Sequence, residues 1–302
     1  MSSRNANDLN LANISKRISS LPLLPSVVCE LMSVNPDDDD FFKKITDIAK
    51  YEPSLSARML RIVNSISASP IAPVTDINQA LIRAGSDEVL SCITTLSVAK
   101  VFTPANDEQK SLWRHSIETA YFAQHLAQSN TALNIETSMA YTSGLLHDLG
   151  RFVLFNLSSK SIDFIAAKDW ETPVELAEVE MQYLGFTHTQ VGYLAAIRWQ
   201  LPKLISKVIK HHHNYNQLKG LGFDIETKNL IYVVQLADYL SMYFMNHVDW
   251  QELDQTELME SLFNERVQKM AGEIGIDSKE LIDAVPDVLS QSNEGMKKLR
   301  IA

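Results

Sequence analysis

The strongest constraint on this chain is a carboxylate on a stripe of helix that should be buried. Leu230, Val233, Val234 and Ala237 recur at helical spacing. Asp238 falls on the same stripe, four residues after Val234 and eight after Leu230. A carboxylate in that position is costly unless a cation or a metal compensates its charge. Whatever fold the chain adopts must therefore bring a partner to Asp238 from a distant stretch of sequence. Two partners remain open at this point, a buried salt bridge and a bound metal.

The histidines supply candidates. Of the eight, several lie where apolar helical faces begin or end. Thr187 with Gln190 forms a capping box, which starts a helix whose apolar face runs Val191, Ala195 and Trp199. His188 leads that face, Gly192 permits a close approach, and the positive helix end leads one to expect a neutral ring. The triplet His211, His212, His213 closes a helix with the face Leu201, Leu204, Ile205, Val208 and Ile209, and His212 continues that face. His147 and Asp148 follow an apolar helical run and precede Gly150, a residue suited to a helix C-terminus. Adjacent helical residues point about 100° apart. The dyad can therefore grip two sides of one metal, or Asp148 can bridge two metals while His147 binds one. His115 lies one long helix upstream, after Trp113 and Arg114. Each residue alone has a plain alternative, such as a dipole partner or a solvated first turn. Together, on five helical segments, they form a set suited to metal ligation. His125 and His247 do not fit the set and read as surface or satisfied core positions.

Composition bounds the rest. Apolar residues make up 45% and charged residues 21% of 302, ordinary globular usage. Gly and Pro number ten each, which favours long helices over the frequent turns of a β-sandwich. A net charge of −10 argues against nucleic acid as a partner. The small basic cluster Lys297, Lys298, Arg300 reads as a solvated helix end. Cys29 and Cys92 sit among apolar neighbours without a Cys-x-x-Cys motif, so they read as buried thiols in a reducing compartment. The polar stretch Met1 to Leu11 lacks the apolar segment of a signal peptide, and no apolar run reaches the roughly 20 residues of a membrane span. The expectation is a soluble, cytoplasmic protein with no membrane partner.

Along the chain, short helices are expected from about 16 to 104, broken by the extended Leu21 to Pro25 and the loop Ser69 to Pro73. The acidic run Asp37 to Asp40 lacks the spacing and glycine of a calcium loop and reads as a cap. Pro53 and either Thr75 or Asp76 start further helices. A polar linker, Pro104 to Lys110, leads to helices at roughly 111–129, 136–149, 159–168, 173–184, 188–200, 202–213 and 229–245. An acidic helical stretch, about 250–302, follows.

The ordered set His115, His147-Asp148, His188, His212-His213, Asp238 resembles the HD superfamily of metal-dependent phosphohydrolases. Leu21-Pro22-Leu23-Leu24-Pro25, Pro53-Ser54-Leu55-Ser56-Ala57-Arg58, Val63-Asn64-Ser65 and Trp113-Arg114-His115-Ser116 look like the HDOD family, a bacterial signalling module. The likeness covers about 16 to 240. It implies an all-α fold, with an N-terminal helical half at 16–104, an HD-type helical core at 111–245 and a helical C-terminal extension at 250–302. It also implies two divalent metal ions, for which histidine and carboxylate donors suit Fe, Mn or Zn. His115, His147, Asp148 and Asp238 would hold one, and Asp148 would bridge to a second held by His188, His212 and His213. His212 and His213 are preferred over His211 from the apolar face and the motif spacing. By the same resemblance the chain would cleave a phosphorylated small molecule or nucleotide, with Asp148 at the metals and Arg151 neutralising a phosphate. The alternative is a non-catalytic module whose metal site is structural or senses a ligand, and which engages a signalling protein. Two departures matter. Superfamily members that cleave cyclic dinucleotides usually carry lysine where Arg151 stands, and a Gly-Tyr-Pro motif where this chain has Asn214 to Gly220. Both argue against cyclic di-GMP as substrate.

Overall fold

A computed structural model describes residues 10–18, 41, 43–45, 85–166, 168, 170–214, 218 and 220–299. The motifs at 21–25, 53–58 and 63–65, the acidic run at 37–40, Cys29 and the helices expected between 46 and 84 lie outside the described residues. Regular structure among the described residues is helical, without strands. The order is α1 (Leu11–Ile18), α2 (Ser86–Val101), α3 (Asp107–Ser129), α4 (Thr137–Leu146), α5 (Leu149–Ala166), α6 (Pro173–Leu184), α7 (His188–Arg198), α8 (Lys203–His211), α9 (Ile225–Asn246), α10 (Gln255–Leu262), α11 (Glu265–Glu273) and α12 (Ser278–Leu299). No helix among these residues is long and apolar enough to cross a membrane.

Side chains set the helix starts. Thr187 and Gln190 form the expected capping box at α7, and Thr172 with Glu175 forms another at α6. Asn106 accepts from the Gln109 amide and starts α3 at Asp107, inside the stretch expected as linker. Asp224 does the same for α9, which therefore begins before residue 229.

The largest departure is at the dyad. The expected helix 136–149, ended by Gly150, is instead two helices. Helix α4 stops at Leu146, His147 is its C-cap, Asp148 lies in the turn, and α5 restarts at Leu149 and runs through the expected break at 150–158. Gly150 thus lies in the first turn of a helix and does not end one. It is needed there because a β-carbon would overlap the His188 carbonyl, and Gly192 across the interface has its own missing β-carbon 2.9 Å from the Gly150 nitrogen. The pair lets α5 and α7 cross at backbone distance.

Two apolar cores hold the helices. One joins Ile14 and Ile18 of α1 to Trp113 and Ile117 of α3, Leu145 of α4, Phe152 of α5 and Val191 of α7. There Trp113 Nε1 donates to the Phe102 carbonyl at 2.8 Å. The other joins Phe122 and Leu126 of α3 to Val233 and Leu240 of α9 and to Leu262, Val267 and Val285 of the C-terminal helices. Helix α3 serves both cores, and so does α8, through Ile205 and Ile209 on one side and Val208 on the other. Against α4, α3 comes close because a β-carbon on Gly144 would sit 2.8 Å from the Ala120 Cα.

Candidate metal centre

The fold brings all seven predicted ligand residues into one cluster. His115 comes from α3, His147 and Asp148 from the α4–α5 turn, His188 from the first position of α7, His212 and His213 from the end of α8, and Asp238 from α9. Six are almost fully buried, between 0% and 4% exposed, and His213 is partly exposed.

The cluster has two halves joined by Asp148. His115, His147 and Asp238 form one group whose donor atoms lie within 4.8 Å of one another, and His188, His212 and His213 form another. Asp148 Oδ2 lies 3.8 Å from His115 Nε2 and 3.7 Å from His147 Nε2. Its other oxygen, Oδ1, lies 3.1 Å from His188 Nε2 and 3.9 Å from His212 Nε2. Asp238 Oδ1 is 3.2 Å from His115 Nε2 and 3.8 Å from His147 Nε2, while its Oδ2 is 3.8 Å from His213 Nδ1.

The outer nitrogens fix how the rings present themselves. His147 Nδ1 donates to the Gly144 carbonyl at 2.7 Å, and His212 Nδ1 to the Ile209 carbonyl at 3.0 Å. A carbonyl only accepts, so the proton of each neutral ring is on Nδ1 and Nε2 is a bare lone pair. His188 Nδ1 donates to Glu180 Oε2 at 2.6 Å. His115 Nδ1 donates to Ser241 Oγ at 3.0 Å, and that hydroxyl donates in turn to Glu118 Oε2 at 3.0 Å. The inner nitrogens then face one another: 3.2 Å between His115 and His147, 3.3 Å between His188 and His212, and 2.9 Å between His188 and His213, all Nε2 to Nε2. Two buried lone pairs at that separation repel unless positive charge stands between them. Two nitrogens bound tetrahedrally to one ion such as zinc lie about 3.4 Å apart. The donor set and its spacing thus fit divalent cations.

The electrostatics agree. Burial holds His147 below its ordinary value, with Asp148 and Asp238 opposing. Burial, reinforced by His147 and His188, pushes His212 down to about 3. Burial with His212 and His188 holds His213 well below its ordinary value. His188 is the exception: burial pushes it down, but Glu180 and Asp148 outweigh that and raise it. Burial would raise Asp148, yet His147, Arg151, His188 and His115 keep it well below the usual carboxylate range. Asp238 is also held down, against burial, by His115 and His147. Bare imidazoles beside ionised carboxylates form a cage for borderline cations.

Other predicted residues fall around this core. Arg151 Nη1 donates to Asp148 Oδ2 at 3.0 Å, with its side chain 16% exposed. His211 turns away and meets the Phe223 ring edge-on at 5.2 Å, so the triplet contributes His212 and His213 to the cluster. His247 caps α9, its Nδ1 donating to the Tyr243 carbonyl and its ring stacked on Tyr243. His125 is half-buried on α3 and outside the cluster.

Sequence reasoning missed Glu180, Glu118 and Ser241. Glu180 was findable by the rule that singled out Asp238. It follows Leu176 by four residues and Pro173 by seven, and all three are buried on one stripe of α6. Glu118 and Ser241 gave no such signal, because α3 and α9 are buried on most sides and carry no clean stripe there.

Residues 21–215 match the family profile of the HDOD domain. A curated relative, an uncharacterized protein of Treponema pallidum (strain Nichols), is 28% identical over 205 residues, 67% of this chain and 39% of the relative. The chain therefore matches well under half of that relative's length. Among solved structures, an HDOD domain protein of unknown function from Geobacter sulfurreducens aligns with a TM-score of 0.69 at 21% identity, covering 93% of this chain and 97% of the other. A candidate phosphohydrolase from Shewanella amazonensis SB2B aligns with a TM-score of 0.68 at 21% identity, covering 95% and 97%. These likenesses show the helical fold.

Proposed function

The chain belongs to the HDOD family, and from that premise we propose that its histidine–aspartate cluster holds two divalent cations and hydrolyses a phosphoester or nucleotide in bacterial signalling. The observation that carries this reading is the division of Asp148, one oxygen toward His115 and His147, the other toward His188 and His212. In this reading Asp148 would offer one carboxylate oxygen to each half; His115, His147 and Asp238 would complete one site, and His188, His212 and His213 the other. The ions would be Fe, Mn or Zn.

Cations bound there would supply an acidified water and a clamp for phosphoryl oxygens. The chain's own residues do the rest. The outer hydrogen bonds of His115, His147, His188 and His212 fix ring orientation and keep each Nε2 free. Asp148 stays ionised and spans both halves. Arg151 spends one nitrogen on Asp148, and the rest of its fork is the group placed to meet a phosphate oxygen. The name of the Shewanella neighbour, a candidate phosphohydrolase, supports the same chemistry. A cytoplasmic location is part of the proposal.

The test is turnover of bis(p-nitrophenyl) phosphate and a panel of nucleotides by protein reconstituted with Mn²⁺ or Fe²⁺. The expected result is metal-dependent cleavage that falls at least about 10³-fold in Asp148→Ala. Full metal loading with no turnover across the panel would contradict it. The near-complete burial of six ligand residues favours a second reading, in which the site is structural or senses a ligand and the chain engages a protein partner. That reading predicts that Asp148→Ala leaves cellular function intact while surface changes within 16–104 abolish it.

A further inference from the structure

We propose that Glu180 and the Glu118–Ser241 pair are positioning groups, one for each half of the cluster, so that the two metal sites can be weakened separately from outside the ligand shell. This rests on the two-ion reading above. Glu180 is 1% exposed, and its Oε2 accepts from both the His188 backbone N–H at 2.8 Å and His188 Nδ1 at 2.6 Å. Its other oxygen, Oε1, is buried without a hydrogen-bond partner among the described residues. Among the described residues this carboxylate pairs with no lysine or arginine, and its charge is directed through one imidazole. Such a group is tolerable in a protein interior when that imidazole passes the charge on to a cation at its far nitrogen.

The other half repeats the device with one more link. Glu118 is fully buried and accepts from Ser241 Oγ at 3.0 Å, and Ser241 Oγ accepts from His115 Nδ1 at 3.0 Å. Here Arg114 Nε also donates to Glu118 Oε1 at 2.7 Å, which neutralises part of its charge. Of the other three rings, His147 and His212 lean on uncharged backbone carbonyls. Each half therefore has one charge-backed imidazole and one carbonyl-backed imidazole, to which one half adds His213 and the other Asp238. The backing is direct and unneutralised at His188, relayed and partly neutralised at His115. The site built on His188 therefore leans more directly on its backing carboxylate than the site built on His115 does.

The test is a Co²⁺ titration of the metal-free chain, followed by calorimetry and by visible absorption, for the wild type, Glu180→Gln, Glu180→Asp and Ser241→Ala, with folding checked by circular dichroism. The wild type is expected to take up two ions of unequal affinity. Glu180→Gln should weaken one ion about 10- to 100-fold and leave the other within about twofold. Ser241→Ala should weaken the other ion and spare the one that Glu180→Gln weakens, and Glu180→Asp should recover part of the Glu180→Gln loss. Combination with His213→Ala identifies the half, because Glu180→Gln and His213→Ala act on the same ion. In metal-free protein, ¹⁵N spectra should show the His188 proton on Nδ1, and Glu180→Gln should redistribute it. Two ions unchanged in both variants, or both variants weakening the same ion, would overturn the positioning role while leaving the two-ion site standing. A folded wild type that takes up no Co²⁺ would overturn both.

Discussion

The C-terminal helices and the ligand cluster bury their side chains on opposite principles. In α10 to α12 the buried residues are apolar except for Ser292, whose hydroxyl donates to the Leu289 carbonyl of its own helix at 2.9 Å. Around Asp148, five imidazoles and two carboxylates share one interior, backed by two further buried glutamates. The interior of the first region gains its stability from area removed from water and buries no group that titrates. The second is stable only while its charges are compensated, so its stability and its chemistry answer to the same variables.

The comparison is broken most forcefully at Asp148. Asp148→Ala should lower metal affinity at both sites by at least about 10³-fold, or about 4 kcal/mol, with equilibrium dialysis as the readout. Loss of one ion only would mean that Asp148 does not bridge. In the apolar region, Leu262→Ala, at a fully buried position, should cost about 2–5 kcal/mol in urea denaturation and leave metal content unchanged. A change in metal content there would mean that the two regions are not separable.

A third test uses pH on metal-free protein. His147, His212 and His213 are held below the ordinary 6.5 by burial. Their contribution is complete above that value. As pH falls below it, the unfolded chain takes up protons the folded chain refuses, and stability drops by about 1.4 kcal/mol per pH unit for each such histidine. His188, raised by Glu180 and Asp148, works in the opposite sense: its contribution is complete below 6.5 and fades as pH rises through its folded value. The net expectation is a urea midpoint that falls between pH 7 and 5 and recovers when His212 and His213 are replaced by glutamine. A flat profile would contradict the buried, neutral state of these rings. The smallest effect is expected from Thr187→Ala, which removes the cap of α7 at about 1 kcal/mol. Because His188 is the next residue, it should also loosen one ion slightly, which a cap elsewhere, such as Asn264 of α11, should not.

What the sequence disclosed follows from the same contrast. Asp238 and His188 were legible because each violates or punctuates an apolar stripe, and such a violation needs a stated reason. The α-helical architecture was legible from periodicity, caps and the scarcity of glycine and proline. Gly150 misled, because a glycine after an apolar helix reads as a stop, whereas here it serves the crossing with Gly192, a tertiary fact with no local signature. The division of the dyad between a C-cap and a turn was hidden for the same reason. Glu118 and Ser241 were silent because α3 and α9 pack on most sides, and a residue can be recognised as buried and polar only where an exposed face exists for contrast.

The most direct test of the two-halved site is diffraction from crystals grown with Mn²⁺, with data collected above and below the manganese absorption edge. Two anomalous peaks should flank the Asp148 carboxylate, one among His115, His147 and Asp238, the other among His188, His212 and His213. A single peak, or none at a cluster whose side chains otherwise keep these positions, would contradict it.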